Sequence, residues 1–190
     1  MKGKTINLIL KSMFLLVLLA AMTFMAGCET EKWTTDEMES AGLTDFQTKD
    51  IYGADVGHEI FQGYDLTMVN VWGTFCGPCL DEMPDLGELQ NEYEPKGVNI
   101  VGIVVDVQDE NLEIISEQIE LAKDIAEGTG ADYTHLLLST GMLPVLRQFD
   151  AIPASFFVDG SGNIVSETYI GSRSKEEWIE IIEANKNNQE

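Results

Sequence analysis

Two cysteines separated by two residues constrain this chain more than any other feature. The motif Cys76-Gly77-Pro78-Cys79 follows an apolar run, Leu66–Trp72, that predicts a buried strand, and it precedes apolar residues at helical spacing. The first thiol is therefore expected at the start of a helix, where free backbone N–H groups and the positive end of the helix dipole favour the thiolate. Because thiolate is the form that attacks a disulfide, the motif predicts redox chemistry.

Metal binding and a structural disulfide are the other interpretations of the motif. A structural zinc site takes about four ligands, and the chain has no second cysteine pair, only Cys28, His58 and His135 besides the motif. A structural disulfide between cysteines so close in sequence adds little stability. We expect His135 to be a packed or half-exposed side chain rather than a copper ligand. The sequence therefore predicts no metal ion and no organic cofactor.

The order of apolar segments predicts an α/β domain. Two buried strands are expected at residues 66–72 and 98–107, because both are apolar along most of their length. An amphipathic helix is expected over residues 109–127, with a buried face that consists of Leu112, Ile115, Ile119, Ala122 and Ala126. Later elements complete the pattern: a short strand at 133–138, a helical turn at 143–149, a hairpin of 155–158 with 163–170, and a final helix opened by the capping box of Ser174 and Glu177.

Residues 69–84, which read VNVWGTFCGPCLDEMP, resemble the active-site segment of the thioredoxin superfamily. Asn70 and the run Glu82-Met83-Pro84 point to the TlpA/ResA-like branch of membrane-associated thiol–disulfide oxidoreductases, since cytosolic thioredoxins have a buried Asp where Asn70 stands. The resemblance covers about residues 46–184. It implies a thioredoxin fold, in which a central mixed sheet is flanked by helices, with an N-terminal β-hairpin extension at residues 46–64 and a helical insertion.

The resemblance also implies roles for single residues at the motif. Cys76 is expected to be the nucleophile, and Cys79 is expected to resolve the mixed disulfide. Glu82 is the candidate proton carrier, because a partly buried carboxyl near the thiols has a raised pKa. The alternative for Glu82 is an acid in the first helical turn that only complements the helix dipole.

Other residues are implied in substrate binding. Relatives carry a cis-proline at the position of Pro153, so the backbone of Ile152 is expected to pair with a bound peptide as an added strand. Ala154 stands where relatives usually have Thr. Phe75 and Trp72 are expected to flank the disulfide and shape the docking surface, although core packing alone also explains Trp72.

The N-terminus has the pattern of a lipoprotein signal. Basic residues precede an apolar stretch at residues 13–26, which is too short for a spanning helix of about 20 residues. The stretch ends at Met25-Ala26-Gly27-Cys28, which resembles the bacterial lipoprotein box, with Met25 where Leu is usual. We therefore predict a signal peptide at 1–27, lipidation of Cys28, an acidic tether at 28–44 and a thioredoxin-like domain at 45–190. An uncleaved signal anchor is the alternative.

The charge of the chain limits its partners. The net charge is −22, and loss of the three lysines in residues 1–27 would leave 163 residues with a net charge of −25. Such acidity argues against binding to nucleic acid or to anionic lipid by charge. Both interpretations of the N-terminus place the domain outside the cytoplasm, where disulfides persist.

The resemblance implies an enzyme that reduces protein disulfides. The dipeptide Gly77-Pro78 lacks the histidine that makes an oxidant, and the expected donor is a transmembrane thiol carrier of the CcdA/DsbD type, with clients such as apocytochrome c. A thiol oxidant or isomerase with the same cysteines is one alternative, and a lipoprotein that binds metal or peptide without turnover is another. A peroxidase is disfavoured, because the pattern Pro-x-x-x-Thr-x-x-Cys does not occur.

Overall fold

A five-stranded mixed sheet lies at the centre of the computed structural model, which describes residues 42–188. The strands are β1 (Gln47–Lys49), β2 (Asp55–Gly57), β3 (Leu66–Trp72), β4 (Val98–Val104), β5 (Thr134–Leu136), β6 (Ala154–Val158) and β7 (Tyr169–Ile170). The α-helices are α1 (Gly77–Tyr93), α2 (Ser116–Thr129), α3 (Leu143–Leu146) and α4 (Lys175–Asn187). Strands β3 to β7 form the central sheet in the order β5-β4-β3-β6-β7.

Strand direction places the cysteine motif at the C-terminal end of the central strand β3. β3, β4 and β5 run parallel, whereas β6 is antiparallel to β3 and β7 is antiparallel to β6. Every residue of β3 and β4 is buried, which agrees with the unbroken apolar runs that a doubly covered parallel sheet requires. The motif follows β3, so it lies where the carboxyl ends of the parallel strands meet.

Two hydrophobic clusters cover the two faces of the sheet. On one face, Met68 and Trp72 of β3 pack with side chains of α1, α2 and α4. On the other face, Val69 and Val71 pack with the N-terminal segment and α3. Because side chains alternate along a strand, Asn70 shares the face of Met68 and Trp72 and points towards α1. This alternation brings Asn70 to the helix that carries the second cysteine.

The predicted N-terminal hairpin is present as β1 and β2, a two-stranded antiparallel sheet. The folded region begins earlier than the predicted boundary at residue 45. Leu43 is buried in the core, and its backbone N–H donates to Gly162 O at 2.8 Å. Leu43, which the sequence placed in the tether at residues 28–44, therefore packs with one of the two core clusters of the folded region. Residues 28–41 of that tether lie outside the described residues.

The helix predicted over residues 109–127 starts later, at Ser116. The carboxylate of Asp109 accepts hydrogen bonds from the backbone N–H groups of Asn111 and Glu113 and closes a turn instead. Leu112 adopts a left-handed backbone with φ of 62°, and Ile115 is exposed. The helical part of the prediction is correct at its buried face, where Ile119, Ala122 and Ala126 enter the core.

The C-terminal elements follow the predicted order, but the second hairpin strand, predicted over residues 163–170, is reduced to Tyr169–Ile170. β6 and β7 form an antiparallel pair, and an isolated bridge between Val158 and Ile164 starts the hairpin. The capping box is formed at α4, since Ser174 Oγ accepts from Glu177 N and Glu177 Oε2 accepts from Ser174 N. The expected thioredoxin fold, with its hairpin extension and helical insertion, is thus confirmed. Within residues 42–188, no helix combines the length and the apolar character needed to cross a bilayer.

Candidate active site

Cys76 and Cys79 form a disulfide at the N-terminus of α1, with their Cα atoms 5.3 Å apart. Cys76 is the N-cap residue, and its Sγ accepts a hydrogen bond from Cys79 N at 3.3 Å. Cys76 retains 6% of its surface, whereas Cys79 has none. The backbone N–H and the helix dipole both favour negative charge on Cys76 Sγ, so the more accessible sulfur is also the better placed thiolate.

A carboxylate from the neighbouring strand holds the loop that precedes the motif. Asp106, just beyond β4, accepts hydrogen bonds from Thr74 N at 3.0 and 3.1 Å and from Thr74 Oγ1 at 2.5 Å. Gln118 of α2 lies 3.3 Å from the same hydroxyl. The turn from β3 into α1 is therefore tied to the loop after β4, which restrains the position of Cys76. The sequence contained no signal for this contact.

Glu82 is buried, with 2% of its surface exposed, and three donors surround its carboxyl group. Asn70 Nδ2 donates to Oε1 at 2.9 Å, while Arg173 N and Trp178 Nε1 donate to Oε2 at 3.2 and 3.3 Å. Burial raises the pKa of Glu82, and these three hydrogen bonds oppose part of that rise. Glu82 follows Cys79 by three residues on α1, so the two side chains share one face of the helix.

Asn70 joins Glu82 to the strand that carries the cis-proline loop. Its Nδ2 also donates to Ser155 Oγ of β6, at 3.1 Å. Its Oδ1 is buried and accepts no hydrogen bond from any group in residues 42–188. The amide therefore uses both of its donor positions and leaves its acceptor unused.

The predicted docking residues lie around the motif. The peptide bond between Ile152 and Pro153 is cis, and Pro153 O accepts from Gly171 N at 2.8 Å. Phe75 is 74% exposed, and its ring lies over Gly73, so a Cβ at that glycine would stand 2.9 Å from the Phe75 ring and 3.2 Å from Ile152 Cδ1. Phe75 and Ile152 thus both lie close to Gly73, which leaves room for their side chains.

Trp72 does not belong to this surface, which corrects its assignment as a substrate contact. The side chain is completely buried and packs in the core behind the two cysteines. Its Nε1 donates to His135 Nδ1 at 3.1 Å, and His135 Nε2 donates to Ala131 O at 3.0 Å. Gly102 faces this pair, because a Cβ there would collide with His135 Nδ1. The packing alternative for Trp72 and the packed His135 are both confirmed.

Burial shifts the pKa of two aromatic side chains near Trp72, those of His135 and Tyr133. Burial lowers the pKa of His135 to about 4, against the weaker opposing effect of its bond to Ala131 O. Burial, and secondarily the charge of Glu82, raises the pKa of Tyr133 far above its usual value. The Tyr133 and His135 rings are 4.5 Å apart. Both side chains are therefore neutral at physiological pH.

Sequence reasoning missed several of the residues that support the site. Asp106, Ser155, Arg173 and Trp178 come from four separate segments, and only the fold brings them to the motif. The amphipathic pattern of α4 predicted burial of Trp178 but not its hydrogen bond. Within residues 42–188, no three His, Cys, Asp or Glu side chains are grouped so as to hold a metal ion. Cys28, the predicted lipidation site, lies outside the described residues.

Comparison with known proteins agrees with this geometry. The model of the AhpC/TSA family matches residues 41–167. The thiol–disulfide oxidoreductase ResA of Bacillus thuringiensis subsp. konkukian is 28% identical over 178 residues, which cover 93% of this chain and 95% of the relative. The ResA of Bacillus anthracis is 32% identical over 136 residues, which cover 71% of this chain and 68% of the relative.

A solved structure supports the same relationship. The crystal structure of a thiol:disulfide interchange protein of the thioredoxin family from Chlorobium tepidum TLS matches with a TM-score of 0.62 and 25% identity, covering 77% of this chain and 97% of the other. The disulfide at the start of α1, the buried Glu82 and the sequence matches lead to one assignment. This chain belongs to the AhpC/TSA family and is a TlpA/ResA-like thiol–disulfide oxidoreductase of the thioredoxin superfamily.

Proposed function

We propose that this oxidoreductase is a protein disulfide reductase that works outside the cytoplasm and is held at the membrane by a lipid on Cys28. The observation that carries the proposed dithiol exchange is the asymmetry of the pair: Cys76 is the accessible N-cap, and Cys79 is fully buried one turn into α1. An accessible thiolate meets the client first, and the buried partner then releases it.

Two successive thiol–disulfide exchanges transfer two electrons from the protein to the client. Reduced Cys76 attacks the client disulfide, so a Cys76–client disulfide forms and one client thiolate leaves. Cys79 then attacks Cys76 Sγ, which forms the intramolecular disulfide and releases the second client thiolate. The client gains two electrons and the protein loses them. A dithiol donor reverses the change in the protein, and we propose a transmembrane carrier of the CcdA/DsbD type for that step.

Glu82 is proposed as the group that takes the proton from Cys79 when that thiol becomes a nucleophile. Its position three residues after Cys79 and its raised pKa support the role, since a carboxyl with a pKa nearer neutrality exchanges protons more readily at physiological pH. The alternative of a dipole-complementing acid is less well supported, because such a residue would be solvated, whereas Glu82 is buried among three donors.

Ile152 and Phe75 are proposed to hold the client. Within residues 42–188, the backbone of Ile152 makes no hydrogen bond to another backbone group, so it can pair with an extended peptide. Phe75 presents an exposed ring next to Ile152 for an apolar client side chain. Phe75 precedes Cys76 in the chain, and Ile152 packs against the core cluster that contains both cysteines.

The direction of electron flow separates the proposal from an oxidant or isomerase that uses the same cysteines. Gly77 and Pro78 provide no positive charge to stabilise the reduced thiolate beyond the helix start. We therefore expect a reduction potential of about −270 to −200 mV, the range of thioredoxins and glutaredoxins. A value near about −120 mV, as in strong oxidants, would reverse the assigned direction.

Reduction of insulin by the protein with a dithiol donor tests the activity. Wild type is expected to turn over, Cys76→Ser to lose activity, and Cys79→Ser to accumulate a mixed disulfide visible on a non-reducing gel. Equal activity of wild type and both serine variants would refute the mechanism. A metal- or peptide-binding lipoprotein without turnover predicts no reduction by wild type at all.

The location is tested separately from the chemistry. In a bacterial host, wild type is expected to take up radiolabelled palmitate and to sediment with membranes, whereas Cys28→Ala is expected to do neither. Labelling of the Cys28→Ala variant would place the lipid elsewhere. Clients, with apocytochrome c among those proposed, are identified by trapping them as mixed disulfides with Cys76 in the Cys79→Ser variant.

A further inference from the structure

The polar groups that touch the Glu82 carboxyl are all hydrogen-bond donors. Arg173 N is a backbone amide, Trp178 Nε1 is an indole that can only donate, and Asn70 offers its Nδ2. A carboxylate accepts all three bonds, so the arrangement fits the anionic form of Glu82.

The neutral form of Glu82 does not fit the same arrangement. A proton on Oε2 would point at Arg173 N and Trp178 Nε1, and a proton on Oε1 would point at Asn70 Nδ2. Each of these positions already holds a donor, so the new O–H has no acceptor. A buried donor without a partner is costly, yet burial favours the neutral acid. Neutral Glu82 therefore needs an acceptor.

Asn70 can supply that acceptor. Rotation of the amide by half a turn exchanges Nδ2 and Oδ1, which are nearly equal in size, so no other side chain has to move. The exchanged Oδ1 would lie in the present position of Nδ2, 2.9 Å from Glu82 Oε1. Backbone Arg173 N and the indole of Trp178 have no comparable freedom.

We propose that Asn70 is a positioning residue that serves both protonation states of Glu82, by donating through Nδ2 to the carboxylate and accepting through Oδ1 from the carboxylic acid. Ser155 completes the exchange, because its hydroxyl, 3.1 Å from Nδ2, accepts from the amide in one state and donates to it in the other. In each state one end of the amide is bonded to Glu82 and Ser155, and the other end is unused.

The number of hydrogen bonds around Asn70 is therefore conserved when the proton moves. The unused Oδ1 in the present structure is the counterpart of an unused Nδ2 in the neutral state. An ionised Asp only accepts hydrogen bonds and could serve the carboxylic acid alone, and Leu could serve neither state. This property distinguishes Asn70 from the carboxylate of cytosolic thioredoxins at the same position.

The charged and titratable groups that act on Glu82 come from two other segments. Arg173, which follows β7, favours the carboxylate, while Tyr133, which precedes β5, interacts with Glu82 electrostatically and is itself neutral. The other residues in contact with the carboxyl are the uncharged Asn70 and Trp178. The disulfide between Cys76 and Cys79 carries no charge.

This inference rests on the proposed role of Glu82 as a proton carrier, but its test does not need turnover. The full-length oxidised chain, kept in solution with mild detergent, is labelled with 13C at Glu side chains and 15N at Asn side chains. NMR spectra recorded across the titration then report the Glu82 carboxyl carbon and the Asn70 amide protons together.

We expect the Asn70 amide protons to move upfield with the same midpoint as the Glu82 carboxyl carbon. Their nuclear Overhauser effects to the Ser155 β-protons should be lost in the neutral state. Asn70 amide signals that stay constant while Glu82 titrates would overturn the proposal. Absence of any Glu82 titration would overturn it as well, because no neutral state would then exist.

The variant Glu82→Gln provides a matched control. The glutamine amide of this variant carries a donor and an acceptor in the place of the two carboxyl oxygens, so its Nε2 is expected to bond to Asn70 Oδ1 at every pH. The Asn70 signals of E82Q should then resemble the acidic wild-type signals and stay constant. Signals like those of the wild-type anion would contradict the exchange. If E82Q fails to fold, the wild-type titration decides alone, and continued insulin reduction with a static amide would leave the proposed function standing.

Discussion

Acidification is expected to destabilise this protein through His135. The ring is buried, its Nδ1 accepts a hydrogen bond from Trp72 Nε1, and its Nε2 donates one to Ala131 O. Burial lowers the pKa of His135 to about 4, from an ordinary value of 6.5. Between these two values the unfolded chain binds a proton that the folded protein excludes, so stability falls as the pH falls from 6.5 towards 4.

The size of the effect follows from the two pKa values. From pH 7.5 to pH 5 the proton linkage of His135 removes about 2 kcal/mol from the free energy of unfolding. Glu82 acts in the opposite direction: its folded-state pKa is raised, so it stabilises the fold at low pH, and this contribution is lost as the pH rises through that pKa. The pH dependence of wild-type stability therefore contains opposing contributions from His135 and Glu82.

Comparison with His135→Gln isolates the histidine. A glutamine amide can accept from Trp72 Nε1 and donate to Ala131 O, but it does not titrate. Urea unfolding of both proteins, followed by tryptophan fluorescence at pH 7.5 and pH 5, gives the four free energies that are needed. Wild type should lose about 2 kcal/mol more than H135Q on acidification. An equal loss in both proteins would refute the argument, because it would mean that His135 is protonated in the folded state or was never buried.

Three further outcomes follow from the structure. Gly102→Ala should destabilise the fold by about 1–3 kcal/mol, because the new Cβ would press on the ring of His135. Gly128→Ala should stabilise α2 by about 0.5–1 kcal/mol, because its Cβ would meet no atom within 4 Å. Thermal unfolding of the two variants compares these effects directly. Glu82→Gln should flatten the pH profile of insulin reduction, and a profile identical to wild type would remove Glu82 from the proton path. Phe75→Ala should raise the KM for a protein disulfide and leave the reduction of a small disulfide unchanged, since 74% of the Phe75 surface is exposed where the client is proposed to dock. Equal changes with both substrates would show that the ring supports the motif instead.

Local patterns in the sequence predicted those parts of the fold that depend on neighbouring residues. The bounds of β3 agree with the apolar run Leu66–Trp72, and the capping box at Ser174 opens α4 as expected. The predicted start of α2 at residue 109 was wrong. Leu112 and Ile115 continue the helical spacing of apolar residues, but the Asp109 carboxylate accepts hydrogen bonds from the backbone and forms a turn there instead. Periodicity records which residues are apolar, and it does not record this competition for backbone donors.

The site was predicted where one short segment or the family resemblance identifies its residues, as with the cis-proline Pro153. Cys76, Cys79 and Glu82 lie within seven residues of one another, so the motif and the family resemblance around it identified them together. The bond from Thr74 to Asp106 spans 32 residues, and the bond from Trp72 to His135 spans 63. Such contacts depend on the order of the strands and on the space that Gly102 leaves in β4. The spacing of the contacting residues along the chain predicts neither.

The contact between Glu82 and α4 has a practical consequence for modification of the C-terminal end. Its carboxyl is held by Trp178, which lies 96 positions further along the chain, and Lys175 of the same helix bonds to Glu88 and Glu92 of α1. Truncating α4, or fusing a bulky tag that displaces it, would admit water to Glu82 and return its pKa towards that of an ordinary glutamate. Purification handles at this terminus can therefore alter the acid–base behaviour of the dithiol without touching a cysteine.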